Sequence, residues 1–354
     1  MLEIDGAYGE GGGQLLRTAV ALSAITRQAV RISNIRAKRS RPGLAAQHIA
    51  AVRAVAALCD ARVTNLVPRS MEIQFEPGVI RGGSFRFDIG TAGSAMLVLQ
   101  ALIPVVAAGG APCRAVVSGG TDVRGAPPAD YVRQVVLPLL GRMGVEATLE
   151  VRRRGYYPRG GGEVEFAYAP SALHPRQWTG HGGALGIAGH AHVARLPALI
   201  AERMRAAALR SLAAHGLHAA IATSVLGEQQ AYGPGGAVAL WASGEGVILG
   251  AARVAERGVR AEALGEAVAG EIAADMAAGA ALDVHAADQM LVYLALASGE
   301  SGFTTRELTS HARTAMWLIE RFLPARFEVA EEPGVLRVRV RGAGVLSMDA
   351  KHPP

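Results

Sequence analysis

Twice in its first half the chain runs through the same order of elements: a short apolar strand ending in Asp, a glycine-rich turn, a helix, a strand, a second helix and two more strands. The first copy predicts a strand at Leu2–Asp5, a turn over Gly6 to Gly13 and a helix over Gln14–Thr26. A strand at Ala29–Ile32, a helix over Leu44–Cys59 and strands near Arg62–Leu66 and Met71–Phe75 complete it. The second predicts a strand at Phe85–Asp88, a turn at Gly90–Ser94, a helix over Ala95–Ala108, a strand at Arg114–Ser118 and a helix over Ala129–Met143. Its last strands fall around Glu146–Arg152 and Glu163–Tyr168. A repeated β-α-β-α-β-β unit can bury its apolar helix faces only against its own sheet and its neighbours, so the chain reads as α/β (α+β).

A third copy is expected near the C-terminus. It has helices at Ala286–Ala297 and His311–Phe322, with strands at Gly302–Glu307, Arg326–Val329 and Leu336–Val340. The stretch from Gly183 to Gly279 has a different texture, with Gly-Pro-Gly-Gly at 233–236 and Ala-rich helices. It reads as a small inserted domain, 183–279, in a large domain built from 1–182 and 280–345.

The chain carries a formal net charge of +6, and lysine occurs only at Lys38 and Lys351, so nearly all the positive charge is arginine. Arginine makes paired contacts to phosphate and stays charged at any working pH. A genome rich in G and C, which encodes Ala, Gly and Arg heavily, accounts for the overall bias but not for where individual arginines sit. Two cysteines, Cys59 and Cys113, are too few for a disulfide framework or a zinc cluster. The N-terminal MLEIDGAYGEGGG has neither the basic nor the hydrophobic region of a signal peptide. The longest apolar run, Ala95–Ala108, is broken by Gln100 and Pro104 and is too short to span a bilayer. A soluble cytoplasmic protein with no membrane partner is the expectation.

Several segments could carry chemistry. Glu10-Gly11-Gly12-Gly13 leads into a helix with Arg17 one turn inside, an arrangement that lets backbone and helix N-terminus approach a phosphate. A tight glycine turn alone would give the same pattern, and no Walker A loop is present. Arg36, Lys38, Arg39 and Arg41 form a basic loop ahead of Gln47-His48, suited to a polyphosphate or an RNA end, or simply to water. His48 itself reads as a packed core residue. The prolines Pro127-Pro128 before a helix offer a stiff apolar surface or only a stiff helix entry. Arg154-Gly155-Tyr156-Tyr157-Pro158-Arg159 has the composition of a nucleic-acid surface and equally of a hairpin loop. His285 precedes Ala-Ala-Asp288-Gln289. His311 stands at a helix start, capped by Thr309 or Ser310, where the positive helix end favours neutral imidazole.

Taken together, DGAYGEGGGQLLRT, IRAKRSRPGLAAQH, GTAGSAMLVLQALIP, SGGTDVRGAPPADY, RGYYPRGGGEVE, AADQ and SHARTAMWLIERFLP resemble the RNA 3'-terminal phosphate cyclase family. They run from residue 5 to residue 324 in family order. The resemblance implies three β-α-β-α-β-β repeats with a small α/β domain inserted in the third. It also implies a three-step reaction. A histidine attacks the α-phosphate of ATP, the adenylate passes to an RNA 3'-phosphate, and the neighbouring 2'-hydroxyl displaces AMP to close a 2',3'-cyclic phosphate.

By the same resemblance the nucleophile is His311, the ligand of a Mg or Mn ion is Glu10, and the phosphate-handling residues are Arg17, Arg36, Arg39 and Gln47. The nucleotide pocket falls around Gln100, Pro127, His285, Asp288 and Gln289. The partners are ATP and an RNA with a 3'-phosphate end. His285 stands where the family's adenine platform can use an aromatic ring. Lysine chemistry offers no substitute for the histidine, because only Lys38 could serve and no K-x-D-G stretch exists. Two other readings share the architecture: a non-catalytic cyclase-like protein of ribosome assembly, expected to lack the histidine, and an enolpyruvyl transferase.

Overall fold

The computed structural model describes residues 1–180, 185–244 and 246–344. Its strands form four four-stranded sheets. The first has the order Leu2–Asp5, Val30–Ser33, Ile73–Glu76, Arg62–Thr64. Its first pair is parallel, with Leu2 opposite Val30, because helix Gly13–Thr26 carries the chain across; the remaining pairs are antiparallel. The second sheet repeats this order with Gly83–Asp88, Cys113–Gly119, Gly162–Ala169 and Glu146–Arg153, and again only the first pair is parallel.

The third unit begins with a strand that hydropathy patterning does not reveal. Gln177–Trp178 pairs in parallel with Ser298–Thr305, which pairs with Val335–Ala343, which pairs with Phe327–Glu332. Two residues cannot display an alternation. Trp178 is nonetheless buried and anchors the strand. Between this strand and helix Val284–Leu296 lies the fourth sheet, in the order Ala219–Leu226, Gly186–Ala194, Gly235–Gly244, Val247–Val254. Helices Ala198–Ala214 and Ala261–Ala278 pack together against it. One apolar core runs through all four sheets, and its largest enclosed side chains include Phe75, Phe166 and Phe303. No helix among the described residues is long and apolar enough to cross a membrane.

The helices from the three repeated units meet one another. Gly13–Thr26 packs against both Ala95–Gly109 and Ser310–Phe322, and Val284–Leu296 packs against Ser310–Phe322. Loops from three units therefore converge around a few helix N-termini.

Most helices shift by a residue or two from the expected bounds, the one expected at Ala286–Ala297 running over Val284–Leu296, and two differ for evident reasons. The second helix starts at Ala46 and not at Leu44. Leu44 exchanges backbone hydrogen bonds with the Arg69–Ser70 segment, and Gly43 sits at φ +75° against the Arg69 backbone. The helix expected over Ala129–Met143 breaks into Ala129–Tyr131, a π-helical turn Val132–Val136, and Leu137–Arg142. Pro138 has no N–H to give back to the preceding turn, and the chain widens there, with the Leu137 N–H donating to the Val132 carbonyl.

Candidate active site

The Gly6–Gly13 turn is held from several sides. The Asp5 carboxylate accepts from the Ala7 N–H at 2.9 Å and from the Asn34 amide at 3.1 Å. Gly9 sits at φ +58°, and a Cβ there would lie 2.3 Å from the Thr314 hydroxyl of helix Ser310–Phe322. A Cβ on Gly13 would lie 2.1 Å from Nε2 of His48. Tyr8 stacks on Trp317, with ring centroids 3.7 Å apart and planes 13° from parallel, and Arg321 lies over the Trp317 ring at 4.5 Å. The turn is thus wedged between the Ala46–Cys59 and Ser310–Phe322 helices.

This packing brings together residues some 300 positions apart in the sequence. Glu10 makes an ion pair with Arg39, and its other carboxylate oxygen meets Nδ1 of His311. His311 is the second residue of its helix, and Thr309 is the N-cap, its hydroxyl accepting from the Ala312 N–H at 3.0 Å. The same hydroxyl donates to Asp288 at 2.7 Å, which ties the helix start to helix Val284–Leu296. Burial, then the charges of Arg17, Arg39 and His285, push the His311 pKa down. Burial pushes Asp288 up to about 6.

Arg17 is only 7% exposed, and its guanidinium donates to the Gln100 amide oxygen at 3.4 Å. Burial lowers its pKa to about 10. Arg17, Gln100, Asp288 and Gln289 line one cavity together with Val132 and Val136 of the π turn.

The other expected residues lie around this centre. Arg36 holds φ +55° and donates to the Gly43 carbonyl at 2.7 Å. Gln47 accepts from the Ser94 N–H at 3.0 Å, at the glycine turn of the second unit. Lys38 reaches the Gly9 carbonyl at 3.4 Å. Pro127 and His285 do not line the Arg17 cavity, and His285 is exposed. They are linked at one remove. Asp283 caps the helix that carries His285 and accepts from the Tyr131 hydroxyl at 2.7 Å, four residues beyond Pro127.

His48 is the packed core residue expected: it is buried, accepts from the Ala45 N–H through Nδ1 at 3.1 Å, and is pushed down to about 3 by burial and by Arg17 and Arg36. It is a neutral spacer under the glycine turn. Arg154 and Tyr156 do not face solvent as a nucleic-acid surface would. Arg154 pairs with Asp122 at 3.0 Å and Asp130 at 2.7 Å in the interior, and of the two tyrosines only Tyr157 is exposed. The acids that turn Arg154 inward lie some 30 residues away, at no spacing a motif could mark.

The arrangement is a cleft of cations around one carboxylate and one imidazole at a helix start, chemistry suited to phosphate groups. The pattern that defines the family described as RNA 3'-terminal phosphate cyclase matches residues 8–329. The RNA 3'-terminal phosphate cyclase of Nitrosospira multiformis is 55% identical over 96% of this chain and 97% of its own length. That of Ignicoccus hospitalis is 45% identical over 96% and 98%. A looser likeness, TM-score 0.42 at 13% identity over 98% of this chain and 49% of the other, is to the enolpyruvyl transferase NikO from Streptomyces tendae. The chain is an enzyme acting on RNA ends. It belongs to the RNA 3'-terminal phosphate cyclase family and has that family's cyclase activity.

Proposed function

We propose that the chain closes the cyclic phosphate at the expense of ATP, through a covalent histidine–AMP. Nε2 of His311 attacks the α-phosphorus of ATP, a P–N bond forms, and the bond to pyrophosphate breaks. An oxygen of the RNA 3'-phosphate then displaces His311, leaving the RNA end adenylylated. The 2'-hydroxyl attacks that 3'-phosphorus, loses its proton, and AMP departs. A phosphate monoester needs this activation because it lacks a good leaving group.

The observation that carries the reading is the contact between Glu10 and Nδ1 of His311. A carboxylate on Nδ1 holds the proton there and leaves the Nε2 lone pair free to attack. Burial and the nearby arginines keep the ring neutral. Arg17, buried without a carboxylate partner among the described residues, is a ready counter-charge for a phosphate. Arg36, Arg39 and Gln47 border the same turns and serve the phosphates or the RNA end. Gln100, Asp288 and Gln289 shape the nucleotide pocket, and Pro127 and His285, outside that cavity, serve as the platform for the adenine.

A Mg or Mn ion fits this site in one way. A single carboxylate, Glu10, amid arginines makes no cage by itself, but such ions keep waters and take phosphate oxygens as their other ligands. Glu10 would hold the ion, which would neutralise charge on the ATP phosphates when bound. Glu10 must then loosen its hold on Arg39. We propose also that 183–279 forms a small domain inserted into the large one, and that the protein is cytoplasmic.

The test of this reading is a cyclisation assay on an RNA with a 3'-phosphate end. Product should require ATP and release AMP and pyrophosphate in equal amounts. Product formed without any nucleotide would overturn it.

A further inference from the structure

Where the second unit meets the first inserted strand there is a buried polar cluster that the reaction above does not use. Asp130 lies in the short helical segment Ala129–Tyr131, and His190 and His192 lie two apart on strand Gly186–Ala194, so they share one face of that strand. We propose that Asp130, His190 and His192 bind a divalent transition-metal ion, zinc being the best fit, which clamps the inserted sheet to the second unit.

The donor atoms already converge. Nδ1 of His190 lies 3.1 Å and Nδ1 of His192 lies 3.6 Å from Oδ2 of Asp130, and all three ligand atoms lie within 4.8 Å of one another. Bonds of about 2.0–2.1 Å in a tetrahedral zinc site place neighbouring ligand atoms roughly 3.3 Å apart, so a small closure completes it.

His192 is fully buried, yet among the described residues neither of its ring nitrogens has a hydrogen-bond partner. The hydroxyl of buried Tyr156, whose ring lies 6.1 Å from that of His192, lacks one too. Buried polar atoms without partners are costly, and a bound ion would give His192 the partner it lacks. Nε2 of His190 is 2.8 Å from the Ser224 hydroxyl, the outer hydrogen bond that fixes a metal-bound imidazole with its other nitrogen facing the ion.

Asp122 and Asp130 pair with Arg154 in the interior, and Asp130 pairs also with the part-exposed Arg133 at 3.1 Å, so these cations hold Asp130 ionised and ready to ligate. Two imidazoles with one carboxylate suit zinc and its neighbours and not Mg or Ca, which prefer oxygen ligands. The site therefore differs in ligand chemistry from the one at Glu10.

The experiment uses the full chain, stripped with a chelator and titrated with Zn²⁺, with Mg²⁺ as the control cation. Metal content is measured after desalting, and melting is followed with and without Zn²⁺. The Glu10→Ala/His311→Ala double variant, which removes the other His–carboxylate pair, should still hold one Zn²⁺ per chain and melt higher with it. His190→Gln, at a partly exposed position, should fold by circular dichroism and weaken Zn²⁺ binding by more than the ~10–100-fold of an outer-shell loss. Ser224→Ala should weaken it by about 10-fold. The proposal is overturned if the wild-type chain retains no Zn²⁺, if His190→Gln binds it as tightly as wild type, or if Mg²⁺ competes equally.

Discussion

The guanidinium of Arg17 is buried against the amide oxygen of Gln100 at 3.4 Å, with no carboxylate to meet its charge among the described residues. Fold stability alone does not explain such a placement, since an unpaired buried charge costs free energy. Arg17→Met should therefore leave the protein as stable or more so, by about 1–2 kcal/mol. Cyclisation should fall by about 10²–10³, the range for losing a donor aimed at developing charge. Thermal melts paired with turnover measurements check both halves, and a variant that loses stability and activity together would contradict the account.

Gly13 leaves room for His48, whose Nε2 would lie 2.1 Å from an added Cβ. Gly13→Ala should destabilise the protein by about 1–3 kcal/mol through overpacking. His48→Ala in the same chain should recover part of that loss, because the clash disappears. Denaturant melts of the two single variants and the double would measure the coupling, and strict additivity would show that the two residues do not collide.

Asp288 has its pKa raised to about 6, burial being the main cause. A carboxyl whose folded pKa lies above its unfolded value of 3.8 weakens the fold once it ionises. Stability should therefore fall as pH rises from about 4 to 6. Asp288→Asn keeps an oxygen for the Thr309 hydroxyl and removes the charge. The variant should exceed wild type in stability by on the order of 1–2 kcal/mol at pH 7, a gap that closes below about pH 4. Melts at the two pH values decide it.

Tyr8 ties the glycine turn to the helix of His311 by stacking on Trp317. Tyr8→Ala should lose about 0.5–1.5 kcal/mol beyond its area and slow the reaction of His311, while Tyr8→Phe, which keeps the ring, should do neither. Equal loss in both variants would point to the hydroxyl instead.

The parts of this molecule that a sequence displays are those with local causes. Glycine turns, apolar helix faces and the N-cap at Thr309 each leave a mark within a few residues, and the repeated order of elements follows from them. The Gln177–Trp178 strand does not, because it is defined by its partner Gly302–Phe303 across the inserted segment. The π turn at Val132–Val136 is equally hidden, since only Pro138 hints at it. At the site, glycine spacing and helix position make Glu10, Arg17 and His311 candidates, and the family resemblance assigns their roles. The inward turn of Arg154 and the link from Thr309 to Asp288 depend on residues far off in the chain.

The central claim is that His311 carries the adenylate, and locating that adenylate tests it most directly. The protein is incubated with α-labelled ATP and metal, digested, and mapped by mass. The label should sit on the peptide containing Ser310–Phe322, on His311, as an acid-labile and base-stable P–N adduct. Labelling should persist at pH values below the ordinary histidine pKa, because burial and the nearby cations hold this ring neutral. His311→Ala and His311→Asn should fold, take no label and form no cyclic phosphate from ATP. Label on any other residue, or wild-type cyclisation by His311→Ala, would contradict the account.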